Sequence, residues 1–157
     1  MSVVYTTAIV FIIVAAAGLY AWILTISGVA QTAVDFVGGL NAPKWVILIA
    51  INVLLLFVGC FLDTVSALLV LTPLLLPISK ALAMDPVHFG VIVVMNLTIG
   101  TFTPPFGLNI FVFQAMFKTP SRELYPGLMP FIVLAIAALM VVTYVPAISL
   151  WILQYVL

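Results

Sequence analysis

The densest run of groups able to hold a ligand is Asn96-Leu97-Thr98-Ile99-Gly100-Thr101-Phe102-Thr103-Pro104-Pro105-Phe106-Gly107-Leu108-Asn109. It interrupts an otherwise apolar segment, Phe89 to Phe117, long enough to cross a bilayer. Pro104 and Pro105 remove two backbone donors and disfavour helix just before them. Gly100 and Gly107 bracket the interruption with permissive backbone. Asn96, Thr98, Thr101, Thr103 and Asn109 add amides and hydroxyls at what should be membrane depth. Asn96, Gly100 and Thr103 stand at i, i+4 and i+7, one face of a helix. Unwound carbonyls beside threonine hydroxyls make a hard oxygen environment suited to a small cation such as Na⁺. The half-helix after Gly107 aims free N–H groups and its positive end back at the same cavity, which suits an anionic group. A cation site beside an anion site is the physical basis of ion-coupled uptake of an acid. The competing reading is a proline kink used only for packing, its freed carbonyls satisfied by threonine.

The elements that must position this run belong to a membrane protein. Of 157 residues, 67% are hydrophobic and 5% charged, whereas soluble domains carry about 25% charged residues. The bilayer is the environment that composition demands. Zero net charge leaves no electrostatic case for nucleic acid. Met1 to Ala30 has no basic n-region, and its apolar run exceeds the about 7–15 residues of a signal-peptide core, so it reads as a spanning helix. The fold class is all-α integral membrane, one domain over residues 1–157. A spanning helix at 3–26 carries Tyr5, Tyr20 and Trp22 as interfacial aromatics, and an amphipathic interfacial segment follows at 29–37. A turn at 38–43, with Asn41, leads to a hydrophobic stretch at 45–78. An interrupted spanning helix at 86–117 starts at Asp85-Pro86, the acid as N-cap and the proline at the first helical position. A last spanning helix lies within 124–153, with Ser121 as a candidate cap and Trp151 and Tyr155 near the interface.

Two readings compete for 45–78. Either two full spans join near Asp63, or a re-entrant hairpin turns at Gly59-Cys60-Phe61-Leu62-Asp63 inside the protein and returns to the same side. A loop in water normally gathers several polar or turn residues. This tip offers one glycine and one carboxylate, which favours the hairpin. An aspartate in the membrane costs roughly 2.5–3.5 kcal/mol on insertion scales and is functional by default. Asp63 would then hold the tip, sense a cation or take a proton; in the two-span reading it is an ordinary loop aspartate. Charges do not orient the chain, because Lys44 and Lys80 balance Lys118 and Arg122 in the hairpin reading.

No Ser–His–Asp set, CxxC pair, phosphate loop or paired carboxylates can be assembled, so an enzyme is not expected. His88 lacks a metal-ligand set and reads as interfacial. Cys60 and the methionines read as packing residues.

Taken in order, Leu55-Leu56-Phe57-Val58-Gly59-Cys60-Phe61-Leu62-Asp63, Thr72-Pro73-Leu74-Leu75-Leu76-Pro77, Asp85-Pro86-Val87-His88-Phe89-Gly90 and Asn96 to Gly107 resemble the large membrane subunit of tripartite ATP-independent periplasmic (TRAP) transporters, the DctM-like permease. The resemblance extends to Ala21-Trp22-Ile23-Leu24-Thr25 and to Pro146 through Trp151. It implies a secondary transporter of the bacterial inner membrane, multi-pass, driven by Na⁺ as coupling ion with no other cofactor. Its cargo would be organic acids such as C4-dicarboxylates or sialic acid. It implies an elevator motion and two inverted repeats, each with a re-entrant hairpin and an interrupted helix. Carried onto this chain, the cation-binding oxygens would come from Gly59, Gly100, Thr103 and Phe106. Asp63, Asn96, Thr98, Thr101, Pro104, Pro105, Gly107 and Asn109 would line or support the substrate cavity. The implied partners are a small TRAP membrane subunit, a periplasmic substrate-binding protein and the N-terminal part of the large subunit. The resemblance covers only the C-terminal portion of that subunit, one repeat, so this chain is not expected to transport alone. The alternative is a non-transporting membrane scaffold or a truncated remnant of such a permease.

Overall fold

A computed structural model describes residues 2–39, 42–118 and 120–151. These residues form α1 (Ser2–Ser27), α2 (Val29–Gly39), α3 (Lys44–Phe61), α4 (Thr64–Ala81), α5 (Pro86–Gly100), α6 (Leu108–Phe117), α7 (Ser121–Tyr144) and α8 (Pro146–Leu150), with no strand among them. The fold is that of an integral membrane helical protein. α3, α4 and the Arg122–Tyr144 stretch of α7 are each long and apolar enough to cross a bilayer, and Phe11–Ser27 with α2 makes a further, broken candidate. That pair bends by 62° at Gly28, whose φ of +70° is easy only for glycine.

α5 is the hub. Asp85 caps it, its Oδ1 accepting from the N–H groups of Val87 (2.8 Å) and His88 (3.2 Å). α3 lies along α5 in parallel, Asn52 opposite Asn96 and Gly59 opposite Gly100. α4 returns from the Leu62-Asp63 turn and also rests on α5, while α3 and α4 touch each other little. α2 lies against α4. Leu55, Ala67, Ile92 and Leu97 are fully buried where α3, α4 and α5 meet. In lipid, apolar burial does not drive helices together as it does in water, so close packing and buried polar contacts must hold this assembly.

The position of the α3–α4 turn along its neighbours is informative. Asp63 shares a hollow with Ile13 of α1. At about 1.5 Å per residue, Ile13 stands roughly 17 Å from one end of α1 and roughly 21 Å from the other. At the end of α5, Thr98 and Ile99 share a groove with Ala135 and Ala138 of α7, roughly 20 Å or more from where α7 begins. The turn lies beside the middle of α1, and the end of α5 lies beside the second half of α7, about 9–14 Å short of where α7 ends.

Several boundaries differ from the sequence reading. The hydrophobic stretch read as 45–78 forms α3 and α4 over Lys44–Ala81, interrupted only at Leu62 and Asp63. The last helix is not continuous over 124–153. It starts at Ser121, with Pro120 rather than Ser121 in the N-cap position, and ends at Tyr144. Pro146 supplies no N–H and pushes Val145 out of the helical region (φ −118°, ψ 83°), so a short α8 follows. His88, read as interfacial, is packed inside the protein at 2% exposure near the start of α5. Asn41, Tyr155, residues 152–153 and the Tyr5 side chain lie outside the described residues.

Candidate functional site

Gly59, near the end of α3, meets Gly100, the last residue of α5, backbone to backbone. A Cβ on Gly100 would lie 2.7 Å from the Gly59 Cα and 2.8 Å from the Leu56 carbonyl oxygen. A Cβ on Gly59 would lie 2.7 Å from the Leu97 carbonyl oxygen and 3.1 Å from the Gly100 Cα. Neither neighbour is a side chain that can swing away. Two helices thus end at one point, and a helix C-terminus is the negative end of its dipole.

Beyond Gly100 the chain tightens before it unwinds. Thr101 N–H is shared between the carbonyls of Leu97 and Thr98, and Phe102 and Thr103 N–H donate to Ile99 and Gly100. Thr101 Oγ1 donates to Thr98 O (2.7 Å) and Thr103 Oγ1 to Ile99 O (2.7 Å). Thr103 therefore stands with its hydroxyl proton occupied and its oxygen lone pairs free. Among the described residues, no backbone N–H donates to the carbonyls of Phe102, Thr103, Pro104 or Pro105. Cys60 Sγ lies 3.2 Å from Leu56 O of its own helix, 3.4 Å from Thr103 O and 3.8 Å from Pro104 O, so its single proton is shared among a carbonyl of α3 and two of the break. The Pro104–Pro105 peptide is cis.

The far side of the break is held by Asn109. Its backbone N–H donates to Thr101 O (2.9 Å) and its Nδ2 to Thr101 Oγ1 (3.0 Å). Gly107 has φ +55°, and a Cβ there would come within 2.8 Å of Ile110 and 3.1 Å of Thr103 O. The amides of Gly107 and Leu108, at the start of α6, have no acceptor among the described residues. Phe106 lays its ring 4.7 Å from that of Phe61 and 6.5 Å from Phe111, so an aromatic row covers the junction.

Gly59, Gly100, Thr103, Pro104, Phe106 and Gly107 are therefore brought together, with Thr101, Pro105 and Asn109 shaping the same break. Thr98 is not: its side chain is exposed toward the α7 groove and only its carbonyl serves the break. Asp63 also departs from the cluster. It caps α4, Oδ2 accepting from Ser66 N–H at 3.0 Å, and faces α1. Asn caps as well as Asp, whereas Ala does not. Asp63→Asn is expected to leave the melting temperature unchanged, and Asp63→Ala to cost about 1 kcal/mol. A loss in Asp63→Asn as large as in Asp63→Ala, read by thermal unfolding in detergent, would show that the charge matters beyond the cap.

Asn96 lies one turn before Gly100, fully buried. Its Nδ2 donates to Asn52 Oδ1 (2.9 Å) and to Ile92 O (2.8 Å), and its Oδ1 has no partner. Asn52 Nδ2 donates on to Thr143 Oγ1 (3.1 Å), which donates to Leu139 O (2.8 Å). This ladder across α5, α3 and α7 includes two residues, Asn52 and Thr143, that sequence reasoning did not connect. The available signal was a lone asparagine in an apolar run, which must find a partner in lipid.

Comparison with known proteins follows the same lines. A family model described as "Tripartite ATP-independent periplasmic transporter, DctM component" matches residues 1–148. The isethionate TRAP transporter permease protein DctMQ of Oleidesulfovibrio alaskensis is 42% identical over 93% of this chain and 23% of its own length. The C4-dicarboxylate TRAP transporter large permease protein DctM of Pseudomonas aeruginosa is 36% identical over 92% of this chain and 34% of its own. The sialic acid TRAP transporter large permease protein SiaM of Vibrio cholerae is 39% identical over 86% and 33%. The chain spans about a quarter to a third of the length of these curated relatives. With the family model covering all but its last residues, the chain belongs to the DctM family of TRAP transporter permeases, which are transport proteins and not enzymes.

Proposed function

We propose that this chain supplies one half of the ion and substrate site of a Na⁺-coupled carrier for organic acids. The observation that carries the proposal is the backbone contact of Gly59 with Gly100, where the C-terminal ends of α3 and α5 converge beside carbonyls to which no backbone N–H among the described residues donates. Two negative helix ends and a set of neutral oxygens attract a small cation. No carboxylate joins them, since Asp63 is turned to α1, and a neutral oxygen set suits a monovalent ion better than a divalent one, which takes carboxylates. Backbone oxygens at Gly59, Gly100 and Phe106 with the Thr103 hydroxyl would hold Na⁺. The start of α6, with free amides at Gly107 and Leu108, would face the carboxylate of the cargo.

α3 and α4 form a re-entrant hairpin in this reading. Each arm is 18 residues, about 27 Å, so length alone permits a full crossing. The turn beside Ile13 of α1 argues for a tip at mid-depth, with both arms returning to one face. The whole carrier would be a multi-pass protein of the bacterial inner membrane, moving by an elevator motion. It would work with the N-terminal part of the large subunit, a small membrane subunit and a periplasmic binding protein. The printed names of the relatives, which include isethionate, C4-dicarboxylate and sialic acid carriers beside ectoine carriers, support an acidic solute as the cargo class.

Reconstituted full-length permease with both partners should take up acid under an inward Na⁺ gradient and not under a K⁺ gradient. A hydrogen bond to a charged group contributes about 1.5–3 kcal/mol, and a lone oxygen ligand to Na⁺ is of similar order. Thr103→Val should therefore raise the half-saturating Na⁺ concentration about 10-fold or more, with protein level unchanged. Uptake indifferent to Na⁺ in the wild type would overturn the reading.

A further inference from the structure

The oxygens assigned to the cation are divided between two helices, Gly59 on α3 and Gly100 at the end of α5. Their spacing depends on how far α3 stands along α5. The glycine contact excludes a Cβ on either side, yet it supplies no directed bond along the helix axis. Apolar side chains do little more, since in lipid they gain almost nothing by choosing one apolar neighbour over another.

One directed bond does cross this contact. Asn52 Oδ1 accepts from Asn96 Nδ2 at 2.9 Å, and among the described residues no other hydrogen bond joins α3 to α5. Both side chains are short and buried, Asn52 at 1% and Asn96 at 0% exposure. A slip of one helical turn, about 5.4 Å, would break the bond. Asn52 stands seven residues before Gly59 and Asn96 four before Gly100, about 10.5 Å and about 6 Å along their helices. The bond therefore pins the two helices within about two turns of the ion oxygens.

Stability alone is a poor account of the pair. Asn96 Oδ1 is buried without a partner, and a partly satisfied polar network is worse for stability than apolar residues in its place. Fixing the register of packed helices is the best-attested use of a buried asparagine.

We propose, resting on the carrier reading above, that Asn52 is a positioning residue for the cation. It touches neither ion nor cargo. Through Asn96 it sets α3 on α5, and so sets the spacing of the oxygens that each helix brings. Its other bond has a different role. Asn52 Nδ2 donates to Thr143 Oγ1 (3.1 Å) and ties α3 to α7, which brings none of those oxygens. Loss of that second bond loosens the bundle and leaves the ion site as it is.

The test pairs two readouts on full-length permease: melting temperature in detergent, and half-saturating Na⁺ for uptake after reconstitution with both partners. Asn52→Leu should lower the melting temperature and raise the half-saturating Na⁺ about 5-fold or more. Asn52→Leu with Asn96→Leu makes the contact wholly apolar. Its melting temperature should recover toward wild type, while its half-saturating Na⁺ stays raised. Thr143→Val should do the reverse, melting lower with half-saturating Na⁺ within about 2-fold of wild type. Activation by Li⁺ relative to Na⁺ should shift in both Asn52 variants and not in Thr143→Val, because altered spacing alters the ion size that fits. Should Asn52→Leu not fold, Asn52→Thr serves in its place, its hydroxyl able to bond back to Leu48 O one turn earlier. Half-saturating Na⁺ that simply follows melting temperature across the set, or that returns to wild type in the double variant, overturns the proposal. Wild-type uptake indifferent to Na⁺ overturns the carrier reading and this inference with it. A Na⁺-dependent wild type with unmoved Asn52 variants overturns this inference alone.

Discussion

Gly100→Ala is expected to part the hairpin from the broken helix. Its Cβ would sit 2.7 Å from the Gly59 Cα and 2.8 Å from the Leu56 carbonyl oxygen. Both are backbone atoms of α3, so no rotamer change relieves the clash and the whole helix must move. Overpacking of this kind costs about 1–3 kcal/mol, and about 3–10 °C in melting temperature for a chain of this size. The functional loss should be larger than the stability loss. The proposed cation oxygens belong to both helices, and separating them disperses the site. In the full-length permease, Na⁺-dependent uptake should fall at least about 100-fold with expression retained. Gly18→Ala is the matched control, since nothing lies within 4 Å of a Cβ there, and it should behave as wild type or slightly better. Uptake in Gly100→Ala equal to that of Gly18→Ala would mean the glycine contact serves packing only.

Asn52→Leu should have the second largest effect, of a different kind. Asn52 accepts from Asn96 and donates to Thr143. Leucine, of the same branched shape, breaks both bonds and leaves Asn96 Nδ2 with only its bond to Ile92 O, while Asn96 Oδ1 already lacks a partner. Interhelical hydrogen bonds in membranes average about 0.6 kcal/mol and reach about 1.7. Two lost bonds therefore predict about 1–3 kcal/mol, or about 3–10 °C. The double variant Asn52→Leu with Asn96→Leu removes both ends of one bond. It should melt above the sum of the single losses, with a coupling of at least about 0.5 kcal/mol in a double-mutant cycle by thermal unfolding. Strict additivity would mean that the two amides do not act as a pair.

The parts legible in the sequence were those written in local chemistry. Pro104, Pro105, Gly100 and Gly107 announce a helix break, and Asp85-Pro86 announces a helix start, because each acts on its own backbone. What pairs with what was less legible. Gly59 in an apolar run reads equally as packing or as a close approach, and only its meeting with Gly100 makes it informative. Asn52 and Thr143 lie 91 positions apart, and no local pattern links them. Asp63 stood out as a charge, yet the Asp63-Thr64-Val65-Ser66 order also encodes a helix cap. That local use explains its orientation toward α1. Pro146 carried a stop signal that continuous hydrophobicity on both sides obscured.

The double attachment of Asn109 to Thr101 has a mechanical consequence. A helix with seven residues missing from its regular course should be a fracture, its halves free to flex. Asn109 acts as a splint, tying the second half to the first through both backbone and side chain. In the carrier proposed above, the break would move as one stiff strut, its carbonyls keeping their spacing before an ion arrives. Ordering them would then add little entropy cost at the moment of binding, and selectivity for ion size would be a property of the strut's geometry.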